Sequence, residues 1–315
     1  MSKHEVPVIE IKLEPHINSD FLSLVHIDGY TVVVKTNEWK DGDLAIHIPP
    51  DYVVKNDEQF AFLNGNTRIK SRKFRGIYSE GLLIKALPDM KLGECVMERL
   101  GITRWEPPVE INMGGEDETG PPGNWPHYDI ESYKKYNTLI VSGEEVIISE
   151  KLNGCNALYV WLNDRLWVRS RNNWKKKNDK ILYWQTLLYN GWIESFCQRH
   201  EGYGLFGEIY GQVGEFNYGS INRSPQFAIF DVYHKNQWLE YDDARKIAPE
   251  CVFVPELYRG PWNEEKLIKL AEQNSSIDGA NHMREGVVVQ PILNRFSPDI
   301  GRVKLKIVSC RYLSN

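Results

Sequence analysis

Cysteine is scarce in this 315-residue chain and poorly placed for cross-linking. Cys95, Cys155, Cys197, Cys251 and Cys310 are odd in number, scattered, and include no Cys-x-x-Cys pair. That argues against a disulfide framework and a zinc site, and suits a reducing cytoplasm. No window approaches 18 unbroken apolar residues, so no membrane-spanning helix is expected. The N-terminal MSKHEVPVIEIKLEP lacks the apolar core of a signal peptide. Basic residues are not in excess: 38 Lys and Arg stand against 43 Asp and Glu, a net charge of −5. Indiscriminate binding to polyanions is therefore disfavoured, although basic side chains gathered in one groove would still suit a nucleic-acid enzyme. There is no internal repeat and no low-complexity tract.

What is present is an ordinary globular composition, 42% hydrophobic and 26% charged, over a length that favours two domains. The Pro-, Gly- and acid-rich stretch 106–127 reads as a linker. Before it, the short runs VPVIEIKL, LSLVHI, YTVVVKT, DLAIHIP and GLLIKAL are separated by turn signals. They predict a small β-barrel of the OB type over 1–105. After it, over 128–315, strand-like segments alternate with two helical stretches. One is 180–200, with Ile181, Trp184, Leu187 and Leu188 on one face. The other is 263–274, with Leu267, Ile268 and Leu270 behind an Asn263 cap. The expected class is α+β, with a C-terminal domain built largely on antiparallel sheet.

Six segments of this second half carry chemistry-bearing residues on or beside strands. In EKLNGCNALYVW, Lys151 lies where the strand EEVIISE ends and the chain turns through Asn153 and Gly154 into NALYVWL. RSR (169–171) ends a strand that is expected to return beside it as a hairpin partner. FGEIYG carries Glu208, FAIFDVY carries Asp231, REGVVV carries Glu285, and VKLKIV places Lys304 and Lys306 on one side of a strand. Singly, each has an ordinary reading as a strand-end salt bridge, a sheet-edge lysine or a core strand.

In this order the six resemble motifs I, Ia, III, IIIa, IV and V of the covalent nucleotidyltransferase superfamily, which contains polynucleotide ligases and mRNA capping enzymes. The K-L-N-G-C-N of motif I, with Asn156 five residues after Lys151, is similar to that of the RNA ligase 2 group. An OB-like module ahead of the catalytic domain, with nine residues after Lys306, resembles the RNA ligase 5 family (Deinococcus-type). The resemblance implies an ATP-grasp-like ligase adenylation domain, ATP and Mg2+ or Mn2+ as cofactors, and a cytoplasmic monomer with no membrane association. Its partner would be RNA, as a nicked duplex or as free ends. A minimal DNA ligase and a non-catalytic RNA-binding protein on a ligase scaffold are the alternatives.

By the same resemblance Lys151 is the nucleophile. A free lysine, with a pKa near 10.4, must be activated, and the cations of Lys304 and Lys306 would help while also neutralising phosphate charge. Glu150 would sit at the adenine edge and Phe227, or else Phe230, would stack on the base. Glu208 would hold the ribose hydroxyls, Arg171 a phosphate, and Glu285, Asn156 and Glu208 the metal with its water. In the front domain, Arg68, Lys70, Arg72, Lys73 and Arg75 surround Phe74, and with Arg169 are candidates for nucleic-acid contact.

Overall fold

Short alternating runs broken by turn residues can only bury their apolar sides by pairing, and this dictates the architecture. The computed structural model describes residues 5–105, 114–211, 213, 216–220, 222 and 224–315. The chain divides into two units. The first comprises residues 1–107 with 133–137 and 308–315, and the second 108–132 with 138–307.

The first unit contains β1 (Val8–Glu10), β2 (Glu14–Pro15), β3 (Leu22–Ile27), β4 (Tyr30–Lys35), β5 (Leu44–Ile48), β6 (Tyr52–Val53), β7 (Ser71–Phe74), β8 (Ile77–Glu80), β9 (Leu82–Lys85) and β10 (Thr103–Arg104). The five runs expected to be strands are β1, β3, β4, β5 and β9. They pair as β1-β5-β9 and β2-β3-β4, with the hairpin β7-β8 and the short pair β10-β6 alongside. Val8, Ile46, Ile48, Phe60 and Val96 form one part of the core, and Ile11, Val25, Val32 and Ala45 another. The β7-β8 hairpin turns through Arg75 and Gly76, both at positive φ (47° and 97°), the backbone that a two-residue turn of this twist requires. Glu80 is a buried acid that joins the separate segments of this unit: it accepts from Lys134 Nζ, from Thr31 N at 3.2 Å and from Cys310 Sγ at 3.2 Å.

The second unit holds two sheets. The larger runs β11 (Asp117–Glu118), β16 (Trp174–Lys175), β15 (Arg165–Arg169), β14 (Cys155–Leu162), β17 (Gly204–Tyr210), β18 (Gln226–His234) and β19 (Gln237–Trp238). The smaller runs β12 (Glu131–Ser132), β24 (Leu305–Val308), β21 (Gly286–Pro291), β13 (Glu145–Lys151) and β20 (Glu256–Pro261). A short hairpin, β22 (Phe296–Ser297) with β23 (Gly301–Arg302), precedes β24. Helices α1 (Leu182–Tyr189) and α2 (Trp192–Arg199) cover one face of the larger sheet through Ile181, Trp184, Ile193 and Phe196. The remaining helices are α3 (Tyr241–Ile247) and α4 (Glu264–Ala271), and Asn263 caps α4 by accepting from Lys266 N at 2.7 Å, as expected.

Two local expectations are corrected, and one connection is added. The single helix over 180–200 is two, because Asn190 ends α1: its side chain donates to Thr186 O (2.8 Å) and Pro225 O (3.0 Å). Leu188, expected on the buried face, is 73% exposed. Strands β13 and β14 do not form a hairpin with one another, since β13 pairs with β20 and β21 and β14 with β15 and β17. The turn after Lys151 instead carries the chain from one sheet to the other. Gly154 makes that crossing possible, because a Cβ there would meet Ile209 O at 2.0 Å.

Candidate functional site

The crossing places Lys151 at the end of β13, opposite Gly286 of β21, so that the next residue back, Glu285, reaches it. Lys151 Nζ donates to Glu285 Oε1 at 2.5 Å. The pair is partly open, with side chains 23% and 13% exposed. The other carboxylate oxygen accepts from Asn153 Nδ2 at 3.5 Å, and Asn153 N donates to Tyr218 Oη at 2.7 Å. Burial raises the Tyr218 hydroxyl, and the charges of Glu285, Glu150 and Glu208 raise it further.

Glu208 enters from the other sheet. It lies directly across from Asn156, and side chains opposite one another in an antiparallel pair share a face. Although part of its surface is open, burial pushes the Glu208 carboxyl up to about 8. Lys151 and Arg171 pull it down, and Glu285 pushes it up. Lys151, Glu285, Glu208 and Arg171 are thus close enough to feel one another's charge. Arg171 is tethered to Asp129 at 3.2 Å.

Glu150, one residue before Lys151, is 1% exposed. Its Oε2 accepts from Ser276 N (2.8 Å) and Ser276 Oγ (2.6 Å), while Oε1 is buried with no partner. A buried carboxylate oxygen with no donor is costly unless a ligand supplies one. Arg284, which feels the charge of Glu150, likewise has an unpartnered Nη1.

Lys304 lies just before β24, in the same sheet as Lys151, and is sealed. Its Nζ donates to Asp231 Oδ2 at 2.8 Å and to Phe230 O at 3.2 Å. Arg302 donates to both oxygens of Asp231, at 2.9 and 2.5 Å, and Tyr128 Oη also donates to Oδ2. Two cations share one buried anion. Arg302 and Lys304 hold Asp231 down to about 2 against its burial, while burial brings Lys304 down to about 8. Lys306, partly buried, lies across from Ser132.

Several expected site residues are placed elsewhere. Phe227 is fully buried: Glu208 faces Ala228, so Phe227 points the opposite way. There it meets Tyr159 at 5.0 Å and Trp192 at 6.0 Å beneath the helices. Phe230, the alternative, packs with Leu158 and Phe206 on the Asn156 side and against Tyr128 at 4.4 Å. Arg169, expected to touch nucleic acid, is 6% exposed and donates to Trp125 O (3.0 Å) and Pro126 O (2.5 Å). Burial lowers it to about 10, and its work is to hold the 125–126 backbone.

Within the first unit, Arg68 is tied to Asp51 (2.8 and 3.1 Å) and lies 3.5 Å over Trp105, while Lys70 donates to Asn315 O. Arg72, Lys73 and Arg75 are exposed, Lys73 lying 5.1 Å from the Tyr78 ring. Tyr218, Ser276, Tyr128 and Arg302 were not singled out from the sequence, and Asn153 was noted only as a turn residue of motif I. Their partners come from distant segments, and only the position of Asn153 within motif I was a signal.

Comparison with known proteins points to RNA ligases. The RNA ligase family model matches residues 144–308, and an OB-fold domain model matches residues 6–86. Naegleria gruberi RNA ligase with PPi is 25% identical, with a TM-score of 0.80 and 98% of each chain covered. A mutant of that ligase with ATP and Mn is 24% identical, with a TM-score of 0.82 and 98% of each chain covered. A further mutant, with AMP and Mn, is 24% identical with a TM-score of 0.80, covering 98% of this chain and 97% of the other. No curated protein sequence matches the chain.

Proposed function

The chain belongs to the RNA ligase family, and from that premise we infer that it joins RNA 3′-hydroxyl and 5′-phosphate ends at the expense of ATP, with Lys151 as the nucleophile. The observation that carries this reading is the Lys151–Glu285 pair at the sheet crossing, with Glu208 facing it. Lys151 Nζ attacks the α-phosphorus, a P–N bond forms, and pyrophosphate leaves with the electron pair of the broken P–O bond. AMP then passes to an RNA 5′-phosphate, and a 3′-hydroxyl displaces it. The ammonium must lose a proton before attack, and Glu285 Oε1, at 2.5 Å, is the acceptor toward which that proton moves.

The unpartnered Oε1 of Glu150 fits the amine at C6 of adenine, where guanine carries a carbonyl. Glu208 suits the ribose hydroxyls, and Arg171 a phosphate. Phe230 rather than Phe227 is the phenylalanine on the site face. Lys304 has more positive charge around it than Asp231 cancels, which favours a phosphate nearby.

The residues also fit a divalent cation. Among the described residues no group of three or more His, Cys, Asp or Glu side chains forms a ready cage. Glu285, Glu208 and the amide of Asn156 nonetheless offer the one or two carboxylates that Mg2+ takes alongside phosphates and water. Bound there, Mg2+ or Mn2+ would neutralise phosphate charge. We further propose that a nick in a duplex is the preferred substrate and that one chain acts alone. The five free thiols are consistent with a cytoplasmic setting.

Incubation with α-labelled ATP and Mg2+ or Mn2+ should leave acid-labile label on the denatured protein, and α-labelled GTP should leave far less. Equal labelling by GTP, or none by ATP, overturns the reading.

A further inference from the structure

Lys151 ends β13, and its backbone is held by a strand on one side only: it pairs with Gly286 of β21, while pairing with β20 stops at Ser149. A strand end held by one ladder frays unless the chain beyond it is fixed as well. Two residues on, Asn153 N donates to Tyr218 Oη at 2.7 Å, across 65 residues of sequence. Tyr218 lies between β17 and β18, buried, with its backbone in the left-handed region at φ 50°. A bulky side chain there is strained, and such a residue persists only where its surroundings fix it. Gly219 (φ 68°) passes so close to Gly279 that a Cβ would lie 2.7 Å from the Gly279 carbonyl carbon. The Tyr218 ring stands edge-on to Tyr210 at 5.2 Å and to His282 at 4.6 Å. These contacts aim one hydroxyl at the turn behind the nucleophile. A carboxylate could also accept from Asn153 N, but a further negative charge beside Lys151 would favour the ammonium, which cannot attack. The Tyr218 phenol stays neutral, since burial raises it and the charges of Glu285, Glu150 and Glu208 raise it further.

We propose that Tyr218 is a positioning residue: its hydroxyl holds the Asn153 amide, and with it the turn that aims Lys151 Nζ at the α-phosphorus. The inference rests on the RNA ligase reading and adds to it a group outside the six motifs on which the lysine steps depend. Lys151 forms the P–N bond in the first step and gives up AMP in the second. In the third step a 3′-hydroxyl attacks adenylylated RNA, and no bond to Lys151 forms or breaks. Loosening the turn therefore slows the first two steps and spares the last.

Tyr218→Phe in the full-length protein removes the hydroxyl and keeps the ring. In single turnover at saturating ATP, lysyl–AMP formation by this variant should slow on the order of 10- to 100-fold, as for a misplaced reacting group. The ATP concentration giving half the maximal rate should stay within about threefold of wild type, because the loss is of aim and not of binding. The pH at which the rate is half-maximal should not move, since Glu285 still faces Lys151. Sealing of a preadenylylated nick by the same preparation should stay within about threefold of wild type, which also shows that the variant is folded. Hydrogen–deuterium exchange read on the peptide spanning Asn153 should show its amide exchanging roughly fivefold faster, as for one lost hydrogen bond. Wild-type adduct formation in the variant, equal slowing of all three steps, a moved pH midpoint, or unchanged exchange at Asn153 overturns the proposal. A wild-type chain that forms no adduct refutes the ligase reading instead, and the exchange of the Asn153 amide then decides by itself whether Tyr218 holds the turn.

Discussion

Two lysine–carboxylate pairs of the second unit are built differently. Lys151 and Glu285 are 23% and 13% exposed, and the second oxygen of Glu285 has only a 3.5 Å contact. Lys304 and Asp231 are 4% and 6% exposed, and Asp231 is saturated by Tyr128, Arg302 and Lys304. The same pairing of residue types therefore serves two ends. A group that must exchange a proton or a partner during a reaction is left unsaturated and within reach of solvent. A group that must hold a cation in one place is enclosed and given every bond it can accept.

Replacing each anchor tests that division, and the largest effect is expected at Lys151. Lys151→Ala should abolish the covalent AMP adduct while the melting temperature barely moves, since a partly exposed pair contributes about 0–1 kcal/mol. Label persisting on this variant would place the nucleophile elsewhere. Next comes a contrast between carboxylates, read by denaturant unfolding and by sealing. Asp231→Ala should cost about 3–5 kcal/mol, because it leaves two buried cations unpaired. Glu285→Ala should cost under about 1 kcal/mol yet lower sealing by roughly 100-fold. Equal stability losses would erase the distinction between the two pairs.

The smallest effect is on pH dependence, and the two acids act with opposite sign. Glu208 stands at about 8 in the folded protein, so between about 4.5 and 8 the folded state binds more protons than the unfolded state and stability falls as pH rises. Glu208→Gln removes that slope and should leave the variant more stable than wild type at pH 8, by on the order of 2 kcal/mol after screening. Asp231 stands at about 2, so its contribution is present above about 4 and is lost as pH falls toward 2. Thermal melts from pH 3 to pH 8 would show both limbs, and a Glu208→Gln variant no more stable than wild type at pH 8 would contradict the raised carboxyl.

Much of the site was legible because its residues are of a chemical type unusual on apolar strands. Lys151 and Glu285 stand at strand ends and Glu208 interrupts a strand from within, and Glu208 feels the charge of both. Phe227 was not legible. Strand β18 is buried along both faces, so alternation cannot say which side is the site, and its pairing with β17 shifts register between Phe206 and Gly207. For the cations Arg68, Lys70 and Arg169 the sequence did not show which partners hold them, for a related reason. Their partners lie at Asp51, Trp105, Asn315 and Trp125, and nothing local reveals a distant carbonyl or carboxylate. The fold itself was largely readable from strand runs, but the sheet crossing after Lys151 was not, because a two-strand pattern with a Gly-containing turn looks the same whether or not the strands pair.

Glu80 joins three stretches of chain that are far apart in sequence, and this sets an order of events during synthesis. The first 107 residues leave the ribosome early, carrying a buried acid whose cationic partner, Lys134, has yet to be made. The last segment of that unit, 308–315, appears only after the whole of motif V. At about 5–20 residues per second the interval is on the order of ten seconds or more. Through that time the front unit waits for the segments that complete it.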